Sequence, residues 1–230
     1  MNALLLSAGY GSRNSNFVKN KPKCLIKIHK KTILDYWLNI LNNKLIDKII
    51  INTHFQSNKI IDFIKCHQLE KKIIISHEKK ILGSVGTLLN NKNLLMKYGN
   101  FFVAHSDNIT SFNFKNFYDF HHKQKKIHTA MTFEAKSSQD CGIFKIKNDR
   151  LKYFQKKKNI YGNIANAAVF IFNKKIFKII SNEKKKIYDI SSDMIPKIID
   201  HLNLYHNTNY FRDIGTKKNL LHARKFFKDN

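Results

Sequence analysis

Residues 2–7 of the chain read NALLLS, an apolar run with no polar alternation, and similar runs return at 47–53 (DKIIINT), 72–76 (KIIIS) and 100–104 (NFFVA). A strand that is apolar on both sides must be covered on both faces. Parallel sheets flanked by helices meet that demand. The segments between these runs carry helical spacing instead. Residues 32–43 (TILDYWLNILNN) place Ile33, Tyr36, Trp37 and Ile40 along one stripe, and 58–66 and 83–96 read as further helices. The expected fold is therefore α/β: a Rossmann-like, mostly parallel sheet with helices on both faces.

The second half is more β-rich. Strands are expected at 129–135, 142–147, 151–154 and 167–172, partly antiparallel, and helices at 173–180, 192–201 and 217–227. With 8 Gly and 2 Pro in 230 residues, no linker interrupts the pattern. The expectation is one domain, 1–230, with a first half at 1–112 and a second at 113–230.

Lys and Arg number 42 against 16 Asp and Glu, a formal net charge of +26. A chain this basic can bind nucleic acid or an acidic membrane. Its lysines, however, are dispersed in short runs such as Lys71-Lys72, Lys156-Lys157-Lys158 and Lys184-Lys185-Lys186, with no arginine-rich arm. Neither nucleic acid nor membrane is expected as a partner. The excess positive charge should still speed the arrival of polyphosphate ligands. Cys24, Cys66 and Cys141 form no Cys-x-x-Cys pair and no zinc spacing, which fits a reducing cytoplasm. The apolar start has no basic residues before it and reads as a first strand, not a signal peptide. His121 and His122, adjacent on a helix, point to different faces; a surface role is expected for them and a core role for Trp37.

The chemistry concentrates in LLLSAGYGSRNSNFVKNKPK, residues 4–23. A buried strand ends at Ser7, and Ala8, Gly9, Gly11 and Ser12 leave the backbone N–H groups open to a polyphosphate. Arg13 can donate a fork of hydrogen bonds to phosphate oxygens. Lys23 follows Pro22, which stiffens the chain ahead of it. An ordinary tight turn would use the same two glycines. A dinucleotide fingerprint is excluded because Asn14 stands where its third glycine belongs.

This stretch resembles the signature of the sugar-phosphate nucleotidylyltransferases: an apolar strand, Ala-Gly-x-Gly-Ser/Thr-Arg, then Pro-Lys. The similarity continues in order. Asn52-Thr53-His54 resembles the Asn-x-His of mannose-1-phosphate guanylyltransferases. Leu82-Gly83-Ser84-Val85-Gly86-Thr87 resembles their Leu-Gly-Thr-Ala-Gly, and Ser106-Asp107-Asn108 their fourth-strand aspartate. Asn163-Ile164-Ala165-Asn166-Ala167 resembles Asn-Leu-Ala-Asn-Ala/Gly, and Asp213-Ile214-Gly215-Thr216 matches Asp-Ile-Gly-Thr. Mannose- and manno-heptose-1-phosphate guanylyltransferases are the most similar subgroup.

The resemblance implies the nucleotide-diphospho-sugar transferase fold, with a nucleotide-binding half at 1–112 and a sugar-phosphate-binding half at 113–230. It implies a cytoplasmic, Mg²⁺-dependent enzyme joining GTP to a mannose- or heptose-type sugar 1-phosphate, with a homodimer as a compatible state. Lys23, Arg13 and Asp107 would be catalytic. Leu6, Ser7, Ala8, Gly9, Gly11, Ser12, Arg13, Lys23, Asn52, Glu78, Gly83, Gly86 and Thr87 would bind the nucleotide. Asn108, Gly142, Gln155, Lys156, Asn163 and Asn166 would bind the sugar phosphate, and Asp107 and Asp213 the metal. Cytidylyl or uridylyl transfer to another phosphorylated metabolite, or nucleotide or nucleic-acid binding without turnover, remain alternatives.

The residues themselves leave other uses open. Asp107 and Asp213 can each cap a helix, Glu78 can be a solvated surface glutamate, Ser84 and Thr87 can start a helix, and Gly162-Asn163 suits a turn. At 154–157 the chain reads Phe-Gln-Lys-Lys where the family has Phe-x-Glu-Lys-Pro, so an uncharged Gln155 stands for the expected glutamate.

Overall fold

The computed structural model describes residues 1–9, 21–136, 139, 141–155, 162–182 and 188–229. Its strands in the first half are β1 (Asn2–Leu6), β2 (Lys27–Ile28), β3 (Lys31–Thr32), β4 (Ile49–Thr53), β5 (Ile73–His77), β6 (Asn100–His105) and β7 (Asn108–Thr110). Those of the second half are β8 (His128–Glu134), β9 (Gly142–Lys147), β10 (Arg150–Gln155), β11 (Ile164–Asn173), β12 (Leu202–His206) and β13 (Phe211–Asp213). The helices are α1 (Ile33–Leu41), α2 (Ser57–Lys65), α3 (Gly83–Asn90), α4 (Lys92–Met96), α5 (Phe114–Lys123), α6 (Ile176–Ser181), α7 (Ile195–Ile198) and α8 (Lys217–Asp229). The expected α/β class holds.

The residues fall into two compact units that interleave along the chain. The first gathers Met1–Ile81, Ala104–Phe114 and Asn209–Asn230; the second gathers Leu82–Val103 and Lys115–Thr208.

In the first unit, β1, β4 and β5 pair in parallel, with Leu4 opposite Ile50 and Ile50 opposite Ile74. All five residues of β4 are buried, as its unbroken IIINT run requires. Helix α1 begins at a reciprocal cap. The Thr32 hydroxyl accepts the Asp35 N–H at 3.0 Å, and the Asp35 carboxylate accepts the Thr32 N–H at 2.7 Å. Such a cap contributes about 1 kcal/mol. Helix α1 buries Ile33, Leu34, Trp37, Leu38 and Leu41, so Trp37 is core as its spacing suggests, and its indole N–H donates to the Asn108 carbonyl at 3.0 Å. A short antiparallel ribbon joins β7 to β13.

In the second unit the strand order is β12, β8, β11, β9, β10. The β12–β8 pair is parallel and the rest antiparallel. β9 and β10 turn on Asn148 and Asp149, both at positive φ (50° and 54°), the conformation of the two-residue turns that match strand twist. The register of β11 against β8 shifts between Asn166 and Phe170, around Ala168 at φ 54°, so β11 carries a bulge.

Three sequence expectations change. The helix read at 83–96 is two helices, because the Asn91 side chain donates to the Thr87 carbonyl at 2.9 Å and ends α3. His121 is buried, not on the surface; its Nδ1 lies 2.8 Å from the Thr129 hydroxyl, while His122 is exposed. The helix read at 192–201 is a π-helical turn (Ile190–Met194), α7 and a 3-10 turn (Ile199–His201).

Candidate active site

In the first unit, the carboxyl ends of β1, β4 and β5 are tied together by polar side chains. The Ser7 N–H donates to the Asn52 carbonyl oxygen at 2.6 Å, and the Asn52 amide donates to Glu78 Oε1 at 2.9 Å. The Ser7 and Ser106 hydroxyls lie 2.8 Å apart, and Ser106 Oγ donates to the Leu6 carbonyl at 2.9 Å. Ser7, Asn52, Glu78 and Ser106 are all buried. Glu78 is therefore no solvated surface residue. A carboxylate at 3% exposure costs several kcal/mol to bury unless hydrogen-bonded, and Asn52 supplies such a bond. His54 Nδ1 sits 2.7 Å from the Glu78 carbonyl. A carbonyl only accepts, so that nitrogen donates the bond. Open α/β sheets bind ligands at these strand ends. Leu6 is half-buried and Ala8 buried, and a Cβ built on Gly9 would meet nothing within 4 Å among the described residues. Gly11, Ser12 and Arg13 lie outside the described residues.

Lys23 opens a 3-10 turn (Lys23–Leu25) after Pro22, whose carbonyl accepts the Leu25 N–H at 3.0 Å. Its ammonium reaches Asp107 Oδ2 at 3.1 Å, with the two side chains 12% and 36% exposed. The neighbouring Cys24 thiol is pushed up to about 12 by burial; it stays protonated and is no nucleophile. Asp107 lies in the turn between β6 and β7, so it caps no helix. Asp213, on β13, pairs with Asn108 across the ribbon, and the Ile214 N–H donates to the Asp107 carbonyl at 3.3 Å. The backbones of Asp107 and Asp213 thus run side by side although 106 positions separate them in sequence (213 minus 107). The cap of α8 is Thr216, whose hydroxyl accepts the Asn219 N–H at 3.2 Å. Asp213 instead holds the Gly215 N–H. A Cβ at Gly215 would meet that carboxylate at 2.6 Å, so a larger residue there would have to displace the Asp213 side chain. Asn108 is buried in β7.

In the second unit, Gly83 stands at φ 75°, and a Cβ there would lie 2.5 Å from the Tyr188 carbonyl, which accepts the Val85 N–H at 3.1 Å. Internal packing alone demands this glycine. A Cβ at Gly86 would meet Leu82 Cβ at 2.8 Å, and the Thr87 hydroxyl donates to the Gly83 carbonyl at 3.1 Å. Ser84 donates to Asp189 Oδ2 at 3.1 Å. Gly142 and Gln155 are paired across β9 and β10. Asn166 starts the bulge in β11. Asn163 is exposed and donates to Glu134 Oε1 at 2.5 Å. Lys156 lies outside the described residues. Reasoning from sequence missed Ser106 as a link between strand ends, and it missed Tyr153, Asp189 and Ser191. The first could have been read from its place beside Asp107; the others depend on register.

Among the described residues no three His, Cys, Asp or Glu side chains gather as a metal cluster, and no helix is long and apolar enough to cross a membrane.

Comparison with known proteins bears on this arrangement. The mannose-1-phosphate guanylyltransferase catalytic subunit beta of Dictyostelium discoideum is 27% identical over 228 residues, covering 96% of this chain and 63% of that protein. The mannose-1-phosphate guanyltransferase of Saccharomyces cerevisiae is 26% identical over 230 residues, with coverages of 96% and 63%. The chain spans about 60% of the length of such curated relatives. Among solved structures, HddC from Yersinia pseudotuberculosis, complexed with GMP-PN, superposes with a TM-score of 0.80 at 22% identity, covering 98% of this chain and 99% of that one. A proposed glucose-1-phosphate thymidylyltransferase from Bacillus anthracis, in complex with a sucrose, gives 0.86 at 19% identity, with coverages of 100% and 96%. At those identities the likeness shows the fold. The Nucleotidyl transferase family matches residues 2–230, nearly the whole sequence, and the chain belongs to that family.

Proposed function

We propose that the chain transfers a nucleotidyl group from a nucleoside triphosphate, GTP foremost, to a mannose- or heptose-type sugar 1-phosphate, releasing pyrophosphate. The observation that carries the reading is the Lys23–Asp107 pair beside the strand that bears Asp213. The phosphate oxygen of the sugar 1-phosphate is already anionic and attacks the α-phosphorus in line, so no covalent intermediate with the protein is required. What remains for the protein is positioning and charge neutralisation. Lys23 supplies positive charge at the reacting phosphate. Gly9, Gly11, Ser12 and Arg13 are proposed to cradle the triphosphate, and Asn52, Glu78, Gly83, Gly86 and Thr87 to hold the nucleoside. Gly142, Gln155, Lys156, Asn163 and Asn166, with Asn108, are proposed for the sugar phosphate.

Asp107 and Asp213, adjacent in backbone, the first side chain a third exposed and the second residue exposed, offer only oxygen donors, which suits Mg²⁺. Asp107 and Asp213 would hold it, and when bound it would supply positive charge that offsets the charge of the phosphates. The names of the relatives support guanylyl transfer within this reading.

A pyrophosphate-release screen of four nucleoside triphosphates against a panel of sugar 1-phosphates tests the reading. Release that needs both substrates supports it, and greatest release with GTP supports the base. Release with CTP or UTP alone reassigns the base, and no release with any pair overturns the reading.

A further inference from the structure

We propose that Tyr153 is a specificity-determining residue whose hydroxyl donates a hydrogen bond to a ring hydroxyl of the sugar 1-phosphate, beside the Gln155 already proposed for that sugar. The inference rests on the sugar-1-phosphate reading above. It begins with register. Gly142 pairs with Gln155 and Phe144 with Tyr153, so these four residues share one face of the β9–β10 hairpin. Tyr153 packs against Phe144 with ring centroids 4.6 Å apart and the planes tilted by 41°. Its hydroxyl covers Gly142 so closely that a Cβ there would lie 1.8 Å from it. Any side chain at 142 would expel the phenol, so glycine at 142 and tyrosine at 153 form one arrangement.

Hydrogen bonds then fix the direction of the phenol. The Asn166 carbonyl oxygen accepts the Ala168 N–H at 2.9 Å, which settles the orientation of the amide. Its NH₂ consequently donates to Tyr153 Oη and to Ser191 Oγ, both at 3.3 Å. Ser191 hydrogen-bonds the phenol as well. With Asn166 donating to it, the phenol oxygen keeps its own O–H as a donor, for Ser191 Oγ or for a ligand hydroxyl. Ser191 belongs to the π-helical turn at Ile190–Met194, which Asp189 pins by accepting from Ser192 N–H at 2.8 Å and from Ser84 Oγ at 3.1 Å. The donor is therefore set in a tied frame.

An acceptor stands on the same face. Gln155 Oε1 is buried and has no hydrogen-bond partner among the described residues. The phenol hydroxyl lies over Gly142, the residue paired with Gln155, so donor and acceptor belong to one patch of this face. A phenol donor beside a waiting acceptor suits neutral hydroxyls, each of which both donates and accepts. The pair does not suit a phosphate. Asn166, Ser191 and Gln155 carry no charge, and the Asp189 carboxylate acts on Tyr153 electrostatically, which disfavours an anion there. Burial also keeps the phenol protonated, raising its pKa above the usual tyrosine range.

The test uses the intact protein with its best nucleotide and sugar 1-phosphate from the screen. Tyr153→Phe is expected to raise KM for the sugar 1-phosphate about tenfold while KM for the nucleotide stays within about twofold, as loss of one hydrogen bond allows. Ser191→Ala, which keeps the phenol, is expected to shift the sugar KM in the same direction by less. Monodeoxy sugar 1-phosphates supply the discriminating reading: for one of them the wild-type and Tyr153→Phe proteins should become equal. A Tyr153→Phe penalty that is the same for the parent and every deoxy sugar overturns the proposal, as does an unchanged sugar KM in an active enzyme. A wild-type protein that turns over no sugar 1-phosphate overturns the underlying reading and this proposal with it.

Discussion

Lowering the pH from 7.5 to 5 should destabilise the protein through two buried histidines. His128 is fully buried, and its Nδ1 accepts the Asn173 N–H at 3.2 Å. It can accept there only as the neutral ring, with its proton on Nε2. Burial, with His201 and His121 nearby, lowers it from 6.5 to about 3; burial, with His122 adjacent, lowers His121 to about 4. Both folded values lie below the unfolded value, so the unfolded chain takes up these protons first as the pH falls. Stability from the neutral rings is complete above about pH 6.5 and declines below it toward the folded pKa values. At pH 5 the unfolded form of each ring is favoured by about 1.5 pH units, or about 2 kcal/mol per histidine at 1.36 kcal/mol per unit. Together that is roughly 4 kcal/mol at most, a large share of a typical 5–15 kcal/mol total. For a chain of this size it corresponds to a Tm drop of roughly 8–16 °C. Denaturant unfolding at a series of pH values measures the slope. Replacing both rings (His128→Asn and His121→Asn) should flatten it between pH 6.5 and 5, whatever the variants' stability at neutral pH. A slope in the double variant equal to wild type would refute the reasoning.

Lys23→Ala should lower turnover at least tenfold with unchanged circular dichroism, because it removes the cation beside Asp107; near-wild-type turnover would remove Lys23 from the chemistry. Gly83→Ala should destabilise by about 1–3 kcal/mol in chemical denaturation, since the new Cβ meets the Tyr188 carbonyl at 2.5 Å in a positive-φ backbone. An unchanged midpoint would contradict the packing. With Mg²⁺ present, GTP should raise Tm more than CTP or UTP by mass action; equal shifts would leave the base unassigned.

Strands β1, β4 and β5 were readable because each is a continuous apolar run with one structural solution. β7 and β13 were not, because three residues carry no period, yet their pairing is what sets Asp107 beside Asp213. Glu78 reads as a surface residue because Lys79 and Lys80 follow it; only the sheet shows that the chain turns inward at 78 and outward again after it. The same limit applies to the sugar side. Gly142, Gln155 and Asn166 were individually visible as candidates. That the first two share a face with Tyr153, and that Asn166 aims its amide at the phenol, follows from strand register and a bulge, neither of which leaves a local signal.

Nucleotidyl transfer has a direct signature in the fate of the phosphates. Incubating the protein with Mg²⁺, a sugar 1-phosphate and GTP labelled at the α-phosphorus should carry the label into a nucleotide sugar, with one unlabelled pyrophosphate released per molecule formed. Label appearing instead in GMP or GDP, or pyrophosphate release that does not depend on the sugar 1-phosphate, would contradict the account.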